Sequence, residues 1–160
     1  MRLHFILVLL MCYVKADCQQ AFSLPLKSLK LTSPFGGRIH PVTGKSDFHR
    51  GIDLSARCEP VLAVLPGVVS AAGFDPILGN YIKIEHGDIQ SIYGHLRMAC
   101  VRVGDLVEAG SFLGITGSTG RSTGEHLHFA LKFQGCYVDP LRYLMRIYGS
   151  GKPNEPAISP

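Results

Sequence analysis

Gly124-Glu125-His126-Leu127-His128-Phe129 is the stretch whose reading decides the rest of the chain. With Ala130 and Leu131 following, the segment reads as one β-strand. Successive side chains leave a strand on opposite faces, so His126 and His128 share one side. Leu127 and Phe129 point the other way, into a core. Two imidazoles on one face can share a metal ion, or one can bind it while the other handles a proton. Two solvated or core histidines are the plain alternative, and the ordinary outcome for an isolated His-x-His. This pair is not isolated. His49-Arg50-Gly51-Ile52-Asp53 supplies another imidazole and a carboxylate upstream. An offset of four puts His49 and Asp53 on one face in either an extended or a helical chain, and Gly51 with Ile52 favours an extended run or a tight bend. The expectation is a zinc site made of His49, Asp53 and His128.

The chain has 160 residues, enough for one domain with a real core. Its 18 glycines and 10 prolines favour short strands joined by turns over long helices. Met1-Arg2, the apolar run from Phe5 to Met11 and Val14-Lys15-Ala16 read as a secretory signal peptide over residues 1–16. A lipoprotein anchor through Cys12 or Cys18 is the less favoured alternative, since Leu-Leu-Met and Lys-Ala-Asp are poor leads for one. No later segment is long and apolar enough to span a membrane. Cleavage removes Arg2 and Lys15 and takes the formal charge from +4 to +2, which argues against a nucleic-acid partner. Four cysteines remain, Cys18, Cys58, Cys100 and Cys136. In an exported protein an even count predicts at least one disulfide, with the pairing open, and four buried thiols as the alternative. No Cys-x-x-Cys spacing points to a cysteine zinc site.

Residues 17–30 are a lead-in without a clear period, and residues 149–160 read as a flexible, Pro-containing tail. Between them lies one domain, 31–148. Turns are expected at Thr32 to Arg38 and at His40 to Gly44. Short strands are expected at 61–64 and 68–71, as a hairpin about Pro66-Gly67, at 79–85 paired with 89–96, and at 101–107 and 112–116. A Gly/Ser/Thr loop, 116–125, leads into the His-x-His strand. Residues 138–144 predict one or two helical turns.

A catalytic zinc takes three protein ligands and keeps a position for water, which two imidazoles and a carboxylate allow. The water's pKa falls to about 7, and a nearby base and an oxyanion donor complete amide hydrolysis. His126 is on the ligand face by strand parity. His95 reaches the site only if its strand neighbours 126–131. Glu125 is turned away by the same parity, His40 reads as closing a turn beside Pro41, and His86 reads as structural or exposed in a hairpin. Asp47, Asp88 and Asp139 fall in turns, where carboxylates bond their own backbone. No phosphate-binding loop, Gly-x-Ser-x-Gly elbow or His-Glu-x-x-His helix is present.

Taken together, the motifs from Leu31 to Leu144 resemble the lysostaphin-like zinc metallopeptidases. They are Thr32-Ser33-x-Phe35-Gly36-x-Arg38-x-His40-Pro41, His49-x-Gly51-x-Asp53-Leu54, Gly79-Asn80-Tyr81, Tyr93-Gly94-His95-Leu96, Val103-Gly104-Asp105, Gly114-x-x-Gly117-x-Thr119-Gly120, Ser122-Thr123-Gly124-x-His126-Leu127-His128-Phe129 and Asp139-Pro140. The resemblance implies a mainly β fold, an antiparallel sheet with loops walling a groove over one zinc ion. It implies His49, Asp53 and His128 as ligands, and His126 with His95 as the catalytic pair. It implies an endopeptidase acting on peptidoglycan stem or bridge peptides, consistent with the signal peptide, which predicts a periplasmic or extracellular location; a monomer is expected. A non-catalytic regulator of wall hydrolases on the same fold is the alternative, disfavoured because every expected ligand is present. A lipoyl-type carrier is disfavoured because Lys83 sits mid-strand. The four cysteines lie outside the common pattern.

Overall fold

Strand β11 (His126–Phe133) carries the alternation through to burial. Leu127, Phe129, Leu131 and Phe133 are buried on one face, while His126, His128 and Lys132 are only partly covered on the other. This computed structural model describes residues 22–39 and 44–150. The expected signal peptide at 1–16, Cys12, Cys18, His40 to Thr43 and the tail from 151 lie outside the described residues.

β11 is flanked by β4 (Ile52–Ser55) and β8 (Ile89–Ala99), both antiparallel to it. On the core face Ile52 stands opposite Phe129 and Leu54 opposite Leu127. Tyr93 of β8 stands opposite Phe129 from the other side, with ring centroids 5.3 Å apart. Each such side chain, taken fully out of water, favours the fold by roughly 1.5–3 kcal/mol. The sheet continues from β8 through β7 (Gly79–Glu85), β6 (Gly67–Asp75) and β9 (Leu106–Val107), and ends beyond β4 with β1 (Leu31–Ser33). β10 (Phe112–Thr116) joins the late part of β8 to β5 (Pro60–Leu62). β12 (Cys136–Val138) folds back on β11 across Gln134-Gly135, whose φ values of 46° and 83° match a two-residue primed turn. A separate hairpin, β2 (Gly36–Ile39) with β3 (Ser46–His49), leads into β4. The architecture is the mainly β, antiparallel one expected from the residues.

Some expectations are corrected. The segments about Pro66-Gly67 are not a hairpin: β5 pairs with β10, and β6 with β7 and β9. The favoured two-residue hairpin turns need positive φ at their first central residue, which proline cannot adopt. Ala63, Val64 and Leu65 instead run buried through the core. The strand expected over 101–107 shrinks to Leu106–Val107, because Asp105 caps a turn by accepting from Arg102 N at 2.8 Å. The helix is longer than one or two turns. α1 (Pro140–Ser150) starts with Asp139 Oδ1 accepting from Leu141 N and buries Tyr143, Leu144 and Ile147. It includes Gly149 and Ser150, which the sequence placed in the tail. Cys58, Cys100 and Cys136 are exposed free thiols, so none of the three is bonded to another. They come from β4–β5, β8–β10 and β12, and the even count carried no information on whether those places meet.

His86 is structural, as its turn position implied. Its Nδ1 donates to Pro66 O at 2.8 Å and its Nε2 accepts from the buried Ser91 Oγ at 2.7 Å. Burial lowers its pKa, which keeps the ring neutral for this double role. His86→Ala should cost about 1–3 kcal/mol, read as a lower denaturant midpoint, because two bonds are lost and Ser91 is left unpaired.

Candidate metal centre

The β4–β11 register places Asp53 directly opposite His128, on the face away from the core. Opposed residues of an antiparallel pair have Cβ atoms about 4.5–5.5 Å apart. Here His128 Nδ1 comes within 2.9 Å of Asp53 Oδ1. His49, at the end of β3, brings its Nε2 within 3.2 Å of both Asp53 Oδ1 and His128 Nδ1. The three donor atoms lie within 4.8 Å of one another.

That closeness depends on Gly51. A Cβ there would lie 2.7 Å from Phe129 O and 2.8 Å from His128 Cε1. The bend between β3 and β4 therefore passes against the His128 ring only with glycine at this position. On β8 the residue opposite His128 is Gly94.

His95 arrives by a route that simple alternation does not give. Tyr93 and Leu96 are both buried, though three residues apart, and the β7–β8 register shifts between Asn80 and Ile82. The extra residue forms a bulge, with His95 at φ 59°, in the left-handed region. That conformation costs roughly 1–2 kcal/mol for a residue with a Cβ. It is held by His95 N donating to Leu78 O at 2.6 Å. The bulge turns the imidazole out of the core, 4.7 Å from the His126 ring and 5.8 Å from the His128 ring.

Three backbone carbonyls orient three of these rings. His49 Nδ1 donates to Pro34 O at 2.8 Å, His95 Nδ1 to Thr119 O at 2.8 Å and His126 Nδ1 to Gly124 O at 2.7 Å. Since a carbonyl only accepts, each Nδ1 carries a proton, and the neutral form of each ring has its lone pair at Nε2. His126 Nε2 lies 3.6 Å from Asp53 Oδ1. Thr119 is in turn fixed by its own hydroxyl, which donates to Leu96 O at 2.7 Å and accepts from Asn80 N at 2.9 Å.

Charge in the cluster is uneven. Burial pushes the Asp53 carboxyl upward, but hydrogen bonds and attraction from His128 and His49 outweigh it and hold Asp53 well below the usual carboxylate range. Burial lowers His128, against the pull of Asp53. Burial also brings His95 down to about 4; the Thr119 carbonyl opposes this, while His126 and His128 add to it. The imidazoles of His95 and His128 are therefore neutral at pH 7, and Asp53 is ionised.

The donor set suits zinc: two imidazoles and one carboxylate. With Zn–N and Zn–O bonds near 2.0–2.1 Å, tetrahedral geometry separates donors by about 3.3 Å, close to the 2.9–3.2 Å found here. The cluster floors an open groove of about 440 Å³. Its lining includes Phe48 and Arg38 of the β2–β3 hairpin, Ile77, Leu78, Arg121 and Tyr137 of β12.

The structure brings together all five residues singled out from the sequence, His49, Asp53, His95, His126 and His128. Glu125 faces away and accepts from Cys58 N. Sequence reasoning gave no role to Arg38, which reaches Asp53, or to Thr119; both were present only as letters in the motifs.

A family comparison matches residues 47–140 to peptidase family M23. The chain belongs to peptidase family M23. Over 119 residues it is 38% identical to the DD-carboxypeptidase/endopeptidase Mpg of Neisseria meningitidis, covering 73% of this chain and 27% of that protein. A zinc-containing peptidase from Vibrio cholerae superposes with a TM-score of 0.69 at 37% identity, over 76% of this chain and 39% of that one. The catalytic domain of lysostaphin from Staphylococcus simulans gives 0.67 at 32% identity, over 73% and 92%. The chain spans only 25–31% of the length of the curated relatives it matches. Within M23 it shares the lysostaphin-like domain, and the motif resemblance had pointed there.

Two outcomes are expected. Gly51→Ala should leave the protein folded but displace His128, weakening zinc binding about 10-fold or more in a chelator competition. In the metal-free protein, the His95 ring signals should titrate near pH 4 by NMR, well below an ordinary histidine. A midpoint near 6.5 would show that the bulge does not bury this ring.

Proposed function

We propose that this M23 domain is a zinc metalloendopeptidase that hydrolyses peptide crosslinks of bacterial peptidoglycan. One observation carries the reading: three donor atoms within 4.8 Å of one another in an open groove, with the Nε2 lone pairs of His126 and His95 beside them. His49, Asp53 and His128 are the ligands in this reading, one zinc per chain. The chemistry such an ion supplies is acidification of water to a pKa of about 7 and polarisation of a carbonyl.

The chain's own residues supply the rest. The groove holds an extended peptide over the cluster. His126, with Nδ1 fixed on Gly124 O, has Nε2 free to take a proton from the attacking water. His95, neutral and fixed on Thr119 O, takes or returns a proton at Nε2 and, once protonated, donates to the oxygen that gains charge. The similarity to Mpg, a DD-carboxypeptidase/endopeptidase, supports a D,D-crosslink as substrate. Segment 1–16, read as a signal peptide, supports export to the wall; mass measurement of the secreted product should find cleavage after Ala16.

The purified mature chain should contain about one zinc. Chelation should abolish release of muropeptides from purified sacculi, and zinc should restore it. His126→Ala should retain zinc and lose 100- to 10,000-fold in rate, the usual contribution of a general base. Full activity in that variant removes His126 from its role. Mass spectrometry of fragments from defined muropeptides identifies the bond cut.

A further inference from the structure

Arg38 has no part in the steps above, yet its guanidinium reaches the same carboxylate that faces the imidazoles. Its Nη1 donates to Asp53 Oδ2 at 3.4 Å and to Ser33 Oγ at 2.5 Å. The two oxygens of Asp53 thus have different partners. Oδ1 faces His49, His126 and His128, and Oδ2 faces Arg38. Ser33 Oγ also lies 3.5 Å from His49 Nδ1, which links Arg38 to a second donor of the cluster. The pair is partly withdrawn from water, with the Arg38 side chain 23% and the Asp53 side chain 14% exposed.

A lone carboxylate rotates broadly about its last torsion and can offer a cation either oxygen or both. A guanidinium on one oxygen removes that freedom. Arg38 sits on β2, and the β2–β3 hairpin also carries His49. The arginine therefore ties the position of the hairpin to the aim of Asp53 on the main sheet.

We propose that Arg38 is a positioning residue of the metal centre: by holding Oδ2 it fixes Asp53 as a one-oxygen donor aimed, through Oδ1, at the point shared with His49 and His128. The assignment rests on the reading of that cluster as a metal site. It differs from a substrate-binding role for Arg38, which its place in the groove wall also allows, because it acts with no substrate present.

The test is zinc affinity of the full chain without substrate, measured by competition with a chromophoric chelator, with circular dichroism confirming the fold. Arg38→Ala should weaken zinc binding 10- to 100-fold, the usual effect of removing an outer partner of a ligand. Arg38→Gln, closer in size, should show the same loss if the alanine variant does not fold. Arg38→Lys should recover part of it, since a lysine supplies charge without the planar fork. In an Asp53→Asn background, Arg38→Ala should change affinity less than twofold, because the oxygen it held no longer carries charge. Two results would overturn the assignment: wild-type affinity in Arg38→Ala, or an equal loss in both backgrounds, which marks a general role in the hairpin. A wild-type chain that takes no zinc, or a His128→Ala variant that binds it normally, would bring down the metal reading and Arg38's role with it.

Discussion

The antiparallel register between β4 and β11 is the constraint on which the site depends. It is set in the core, where Ile52 meets Phe129 and Leu54 meets Leu127. A slip of β4 by one residue would turn Ile52 and Leu54 away from the core, at a cost of several kcal/mol. The same register sets Asp53 beside His128 on the opposite face. Geometry at the candidate metal centre is thus fixed by hydrophobic packing on the other side of the sheet. The polar cluster does not have to hold itself together.

Around that pair the chain accepts local costs. His95 is held in the left-handed region, Gly51 gives up a side chain so that one strand can pass against an imidazole, and a carboxylate is partly buried among imidazole rings. Backbone carbonyls of Pro34, Thr119 and Gly124 accept from one nitrogen of each ring and so set which nitrogen faces the groove. These carbonyls come from loops whose sequences look like ordinary turns. Their contribution is directional: a ring held at Nδ1 cannot flip, and its Nε2 stays aimed at one point.

Burial acts in opposite senses on the two kinds of group. It lowers His95 and His128 and keeps them neutral, ready to accept a proton or a metal. It disfavours the charge on Asp53, but the adjacent imidazoles overcome this. The outcome is an anionic oxygen surrounded by imidazole nitrogens, an arrangement that attracts a cation. Of the basic side chains lining the groove, Arg38 sits on the second oxygen of Asp53.

How far the sequence reached can be judged residue by residue. Period-two alternation at 126–131 determined a strand, its core face and its histidine face, because side-chain direction along a strand is local geometry. The spacing of His49 and Asp53 showed that both could meet on one side, and the ordered motifs gave the family. The tertiary structure alone decided which strands are neighbours. It placed β8 beside β11, made the bulge that brings in His95 against simple parity, and set Arg38 on Asp53 and Thr119 on His95. It also separated the segments about Pro66 and kept three cysteines apart. Those features join residues distant in the chain, and pairing between distant strands is settled by packing of the whole core, which no local pattern encodes.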